Sequence, residues 1–120
     1  MVTGKAPPKH LGSSGRALWR SITRAYELRA DETAVLLRAC ETADIIDAIN
    51  EALVGQPLVV NGSQGQKREH PLLSERRQQV ALQARLLAQL RLPDADDGAV
   101  SASAAGRNLV RARYDRRRSG

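Results

Sequence analysis

Apolar residues recur at helical spacing in three separate stretches of this chain, and glycine or proline interrupts the pattern between them. Spacings of three and four place such residues on one side of a helix, so the chain can bury them only by packing helices together. In the first stretch, Arg16 to Leu28, the apolar positions are Leu18, Trp19, Ile22, Ala25 and Tyr26. Ser13 or Ser14 offers an N-cap just ahead of it. Asp31 is placed to cap a second, longer helix that runs to about Val54 and stops at Gly55, with Pro57 close behind. Its seam of Leu36, Leu37, Ala39, Cys40, Ala43, Ile46, Ile49 and Leu53 is wide, and at roughly 35 Å such a helix is too long to be covered by one small partner. The third helix begins at Pro71, carries Leu73, Val80, Ala84, Leu87 and Leu90 on its apolar face, and stops before Pro93.

Between the second and third helices, Leu58, Val59 and Val60 favour strand, and Asn61-Gly62 through Gly65 supplies turn chemistry before the polar Gln66 to Glu69 segment. The expected fold class is therefore mainly α: a three-helix domain over 13–92, with a small β-hairpin between helices two and three. Residues 1–12, with Gly4, Pro7, Pro8 and Gly12, read as a flexible basic arm carrying Lys5, Lys9 and His10. Residues 93–120 begin acidic, turn small and polar, and end with six arginines and one aspartate in the last fourteen positions, which reads as a disordered basic tail. At 120 residues the chain fits one domain. Aromatics are 2% and Phe is absent, so Leu, Ile, Val and Ala must build the core.

Sixteen arginines and three lysines stand against thirteen carboxylates, giving a formal net charge of +6 and a pI near 10.4. That is the electrostatic footprint of a polyanion binder, shared with ribosome-associated and membrane-surface proteins. The charge is unevenly spread: +5 up to Arg29, −5 over the second helix, +4 from Val54 to Leu92 and +2 beyond. On the first helix Arg16, Arg20 and Arg24 cluster roughly opposite the apolar side. Three cations one turn apart can follow a phosphate backbone, so these residues, with Lys5 and Lys9 upstream, are the candidate DNA contacts. Asn and Gln, which pair with adenine edges, are missing from this helix. Phosphate contact or shape readout is the expected mode. Arg111, Arg113, Arg116, Arg117 and Arg118 in the tail are further candidates for DNA, or for docking to an acidic partner.

Catalytic chemistry finds little support. Gly62, Gly65 and Lys67 only superficially suggest a phosphate-binding loop, because Arg68 stands where Ser or Thr is required. His10, Cys40 and His70 lack the paired spacing of metal ligands; Cys40 reads as a small core residue and His70 as a helix-entry residue. Asp44, Asp47 and Glu51 share one helix face and could in principle hold a divalent metal for phosphodiester cleavage, although no Lys or His accompanies them nearby in sequence. No cofactor is expected. No run of about 18 apolar residues and no signal-peptide core is present, so a soluble protein without a membrane partner is expected. The single cysteine permits no intramolecular disulfide.

The features taken in order carry a resemblance: a Gly-Lys-Ala-Pro start, the helix opening GRALWRSITRAYEL, an acid-rich long helix, the turn segment GQPLVVNGSQGQKREHP and a closing LLAQLRLP. Over roughly residues 4 to 93 the chain resembles the small terminase subunit of long-tailed double-stranded-DNA bacteriophages. The resemblance implies a non-catalytic packaging initiator in the host cytoplasm. It would form a ring-shaped homo-oligomer, with a nonamer as one candidate size, bind double-stranded viral DNA, and regulate the large terminase subunit, which carries the ATPase and nuclease. A phage head structural adaptor docking to portal or capsid is the alternative, and a small metal-dependent nuclease a second one. Oligomerisation also has a physical argument, since a domain this small buries limited surface alone. Leu36, Ala43, Ile46, Ile49 and Leu53 are the expected subunit interface, and the acidic face of helix two is expected to meet the basic face of helix one or three in the next subunit.

Overall fold

A computed structural model describes residues 6–93; Lys5 and the whole basic tail, with Arg111, Arg113, Arg116, Arg117 and Arg118, lie outside the described residues. The element order is α1 (Ser13–Ala25), α2 (Ala30–Leu53), β1 (Val59–Asn61), β2 (Lys67–Glu69) and α3 (Pro71–Leu90). The mainly helical class, the three helices and the hairpin between the second and third are as the residue pattern predicts.

Both α1 and α3 run antiparallel to α2. Ser14 and Gly15 at the start of α1 bond Asp47 and Asp44 in the second half of α2, and Arg76 near the start of α3 bonds Asn50 near the end of α2 at 2.7 Å. The core lies where all three helices overlap: Leu11, Trp19, Leu36, Cys40 and Leu90 are buried together, with Leu18, Ile22, Val35, Leu37 and Leu87 packed around them. Burial pushes the Cys40 thiol up to about 12, with the Asp44 and Glu41 carboxylates adding to the effect. It therefore behaves as a small apolar residue.

The caps differ from expectation in two places. Helix α2 starts two residues early: Arg29 occupies the cap, Glu32 reaches back to accept from the Arg29 backbone N–H at 2.9 Å, and Asp31 sits in the first turn, paired with the Arg29 guanidinium at 3.1 Å. The glutamate three residues into the helix does the capping that Asp31 was expected to do. Helix α1 is capped at Gly12 and by neither serine, because the acceptor for its first N–H groups comes from another helix. At the far end of α1, Tyr26 leaves helical geometry and its hydroxyl donates to the Pro93 carbonyl, tying the exit of α1 to the exit of α3. Helix α2 ends as expected, at Gly55 with φ +75°, a conformation that glycine adopts without steric cost. Pro71 opens α3, and the His70 ring accepts from the Leu72 N–H at 3.1 Å.

The segment read as a flexible arm is, from Pro8 to Gly12, part of the packed body. Leu11 is 2% exposed, its N–H donates to the Pro8 carbonyl, His10 meets Glu41 at 2.8 Å and the Gly12 N–H donates to Asp44 at 2.7 Å. One buried leucine in a polar, proline-rich stretch gives no periodicity, which is why the attachment is invisible along the chain.

The hairpin pairs Val59 with Glu69, Val60 with Arg68 and Asn61 with Lys67, antiparallel, around a Gly62–Gln66 loop closed by a bond from the Gly62 N–H to the Gln66 carbonyl. It barely touches the helices. Helix α2 alone is about 36 Å long. The three-helix core occupies one end, and the turn from α2 through the hairpin forms the other.

Candidate nucleic-acid interface

The geometry of α1 begins with Gly15. A Cβ there would stand 2.5 Å from an Asp44 carboxylate oxygen and 2.9 Å from the Cys40 carbonyl, so only glycine lets the start of α1 lie this close to α2. The close approach allows Asp44 to accept from two backbone N–H groups, Gly12 at 2.7 Å and Gly15 at 2.8 Å, while Asp47 accepts from the Ser14 hydroxyl. The first N–H groups of a helix are unsatisfied within it and carry a partial positive charge. Here a carboxylate from a neighbouring helix answers two of them, those of Gly12 and Gly15.

With its apolar side against α2 and its start clamped, α1 turns the opposite side outward. Arg20 and Arg24 are exposed and have no ion-pair or hydrogen-bond partner among the described residues. Arg16 is half-buried and donates to the Lys9 carbonyl at 3.0 Å. Lys9 is exposed on the attached N-terminal segment. Four of the sequence-predicted candidates therefore meet along one edge: Lys9 and Arg16 at the start of α1, with Arg20 and Arg24 following at one-turn intervals. The guanidinium of Arg16 is partly committed to holding the segment that carries Lys9. Its role is as much positioning as contact.

The acidic face of α2 was expected to answer the basic face of a second subunit. It is largely satisfied within one. Asp31 and Glu32 pair with Arg29, Glu41 pairs with Arg38 and His10, and Asp44 and Asp47 bond α1. The Arg38 and His10 side chains hold the Glu41 carboxyl below its usual range. Asp44 and Asp47 consequently aim at the backbone and a hydroxyl, away from any shared point with Glu51. Among the described residues no group of three or more His, Cys, Asp or Glu side chains is placed to hold a metal ion.

Two of the residues expected at a subunit interface are buried inside the single chain. Leu36 and Ile49 are 0% and 6% exposed within the single chain, so they cannot face a neighbour; α1 covers one flank of α2 and α3 the other. Ala43, Ile46 and Leu53 are half-buried in the same way. The large apolar side chains that do face outward are Ile45, Val54, Leu58, Val59 and Val80. Apart from Val80 these were outside the helical faces read from the sequence. Their signal would have been aliphatic residues off the seam or in a turn.

Lys67 and Arg68 on the hairpin form a second exposed basic site, missed because an isolated Lys-Arg pair beside an acid carries no helical stripe. No described helix is long and apolar enough to cross a membrane. No family model, curated protein or solved structure matches the chain.

Proposed function

We propose that this chain is a small terminase subunit of a double-stranded-DNA bacteriophage, a non-catalytic DNA-binding protein that works as a ring-shaped homo-oligomer alongside the large terminase subunit. The observation that carries the proposal is the edge of α1: Arg20 and Arg24 stand exposed without a carboxylate partner among the described residues, on a helix fixed rigidly by the Asp44 clamp, next to Lys9 and Arg16. Arginine forks suit phosphate oxygens. A row of them at one-turn spacing contacts the backbone and reads no base, so the affinity is electrostatic and falls steeply with salt. One subunit supplies a short stripe, and a ring repeats it so that weak contacts add.

The test is gel retardation of duplex DNA by the purified full chain. Replacing Arg20 and Arg24 together with Ala abolishes retardation at moderate salt and lowers the slope of log affinity against log salt by about 0.9 per lost phosphate contact. Both residues are exposed, so circular dichroism remains that of the parent. Unchanged retardation would exclude α1 as the DNA contact. Light scattering tests the assembly separately: a monomeric mass at micromolar concentration would remove the ring.

A further inference from the structure

Among the described residues both outer edges of the two-stranded hairpin are open, and the register says which groups of β1 face outward. The Leu58 carbonyl accepts from His70 at 2.7 Å and the Gly62 N–H donates to Gln66 at 2.6 Å, with Val60 opposite Arg68 between them. In an antiparallel ladder the bonded residues alternate. Leu58, Val60 and Gly62 therefore turn their backbone groups toward β2, and Val59 and Asn61 turn theirs away, to an edge with no strand beyond it among the described residues.

What surrounds that edge is apolar and basic. Of the large hydrophobic side chains most exposed among the described residues, three lie between Val54 and Val59: Val54 at 77%, Leu58 at 56% and Val59 at 58%. On β2, Lys67 and Arg68 are exposed and carry no ion pair among the described residues, whereas the one acid of that strand, Glu69, is already held by Arg77 at 3.0 Å. Successive strand residues point to opposite faces, so Lys67 puts a cation on one face of the hairpin and Arg68 on the other.

We propose that the open edge of β1 takes an extended acidic and apolar segment of another protein as a third strand. The added strand bonds the outward N–H and C=O groups of Val59 and Asn61, sets its aliphatic side chains against Leu58 and Val59, and carries a carboxylate on each face that the long side chains of Lys67 and Arg68 reach across β1. Strand addition supplies affinity through the backbone and specificity through alternate side chains. Charge favours an acidic strand over a second copy of this chain, whose own hairpin carries the same two cations. The same charge would suit a phosphate backbone, but the exposed aliphatic cluster does not. The inference stands apart from the terminase reading, since it uses no residue of α1.

The experiment uses the full chain and, as probe, a terminally blocked peptide of the repeat Val-Val-Glu-Glu, which carries both residue types on each face of a strand, followed by amide hydrogen exchange and chemical shifts. The Val59 and Asn61 amides are expected to gain protection of roughly tenfold or more on saturation, while the α1 amides stay as they were. The double variant Lys67→Glu, Arg68→Glu weakens binding by at least about tenfold. Val59→Pro removes an N–H that bonds nothing within the hairpin and abolishes the protection at Asn61. Absence of protection overturns the proposal. So does equal binding of a valine and lysine peptide, or the same protection produced by duplex DNA. A Val59→Pro protein of lower assembly mass than the parent also overturns it, because the edge would then belong to a second copy.

Discussion

The two ends of this molecule are built from the same α2 helix and differ in almost everything else. At the end where α1 crosses it, α2 has a neighbour on each flank, and Leu36, Ala39 and Cys40 are fully buried. Toward its C-terminus, past the start of α1, only α3 accompanies it, and the chain emerges through Val54 and Leu58, both mostly exposed, into a hairpin that barely touches the body. Residue type does not separate these regions, since both are aliphatic. The number of elements in contact does, because burial of a helix in a small domain requires cover on two flanks. The first end carries the stability and the α1 stripe whose geometry depends on it. The second carries exposed aliphatics that cost little in the folded chain and remain available to a partner.

The widest test of this contrast is Leu36→Ala. Truncating a fully buried leucine in the three-helix core costs about 2 to 5 kcal/mol, and a urea titration of the full chain should show the midpoint falling accordingly. A loss near zero would mean that the core is elsewhere. Gly15→Ala comes next. Its Cβ meets the Cys40 backbone carbonyl and Asp44, so α1 must shift, at a cost of about 1 to 3 kcal/mol. Because that shift also disturbs the Asp44 clamp, the same variant should weaken duplex retardation at constant salt, whereas alanine at the exposed position Ser21 should leave both unchanged.

A smaller effect follows from Glu41. Its carboxyl is held below the ordinary value of 4.5 by Arg38 and His10, so the associated stability is present above that value and is lost as pH falls through the lower, folded one. The pairs are solvent-screened, which limits the contribution to less than about 0.5 kcal/mol. Acid titration of Glu41→Gln should therefore show slightly less loss of stability below pH 4.5 than the parent. A parallel pair of curves would remove the ion pairs from the account of how residues 8–12 are attached. The smallest effect is expected at the other end: Val54→Ser should change stability by no more than about 0.5 kcal/mol. A large loss at Val54 would break the comparison between the two ends.

The extents of the helices were legible because their signals are local. Pro71 suits the first turn of a helix, Gly55 its exit, and the three- and four-residue recurrence of aliphatics names the buried side. The hairpin was legible from Val59 and Val60 beside the Gly62 to Gly65 turn. The arginine stripe followed from the same periodicity, read on the opposite face of α1. By contrast, Asp44 looked like one of three carboxylates on a helix surface, and Leu36 and Ile49 looked like a seam free for another subunit. Both assignments depended on where a different helix lies.

What the sequence by itself determined was the set of elements, their polarity and the charge each carries, because each arises from contacts within a few residues. Only the tertiary structure decided which apolar seams are spent inside one chain, that residues 8–12 are anchored by Leu11, and that the carboxylate of Asp44 serves the start of α1. Those outcomes rest on pairs such as Gly15 with Asp44, twenty-nine positions apart, and the choice among distant partners is made by shape and closeness of approach, which no local pattern encodes.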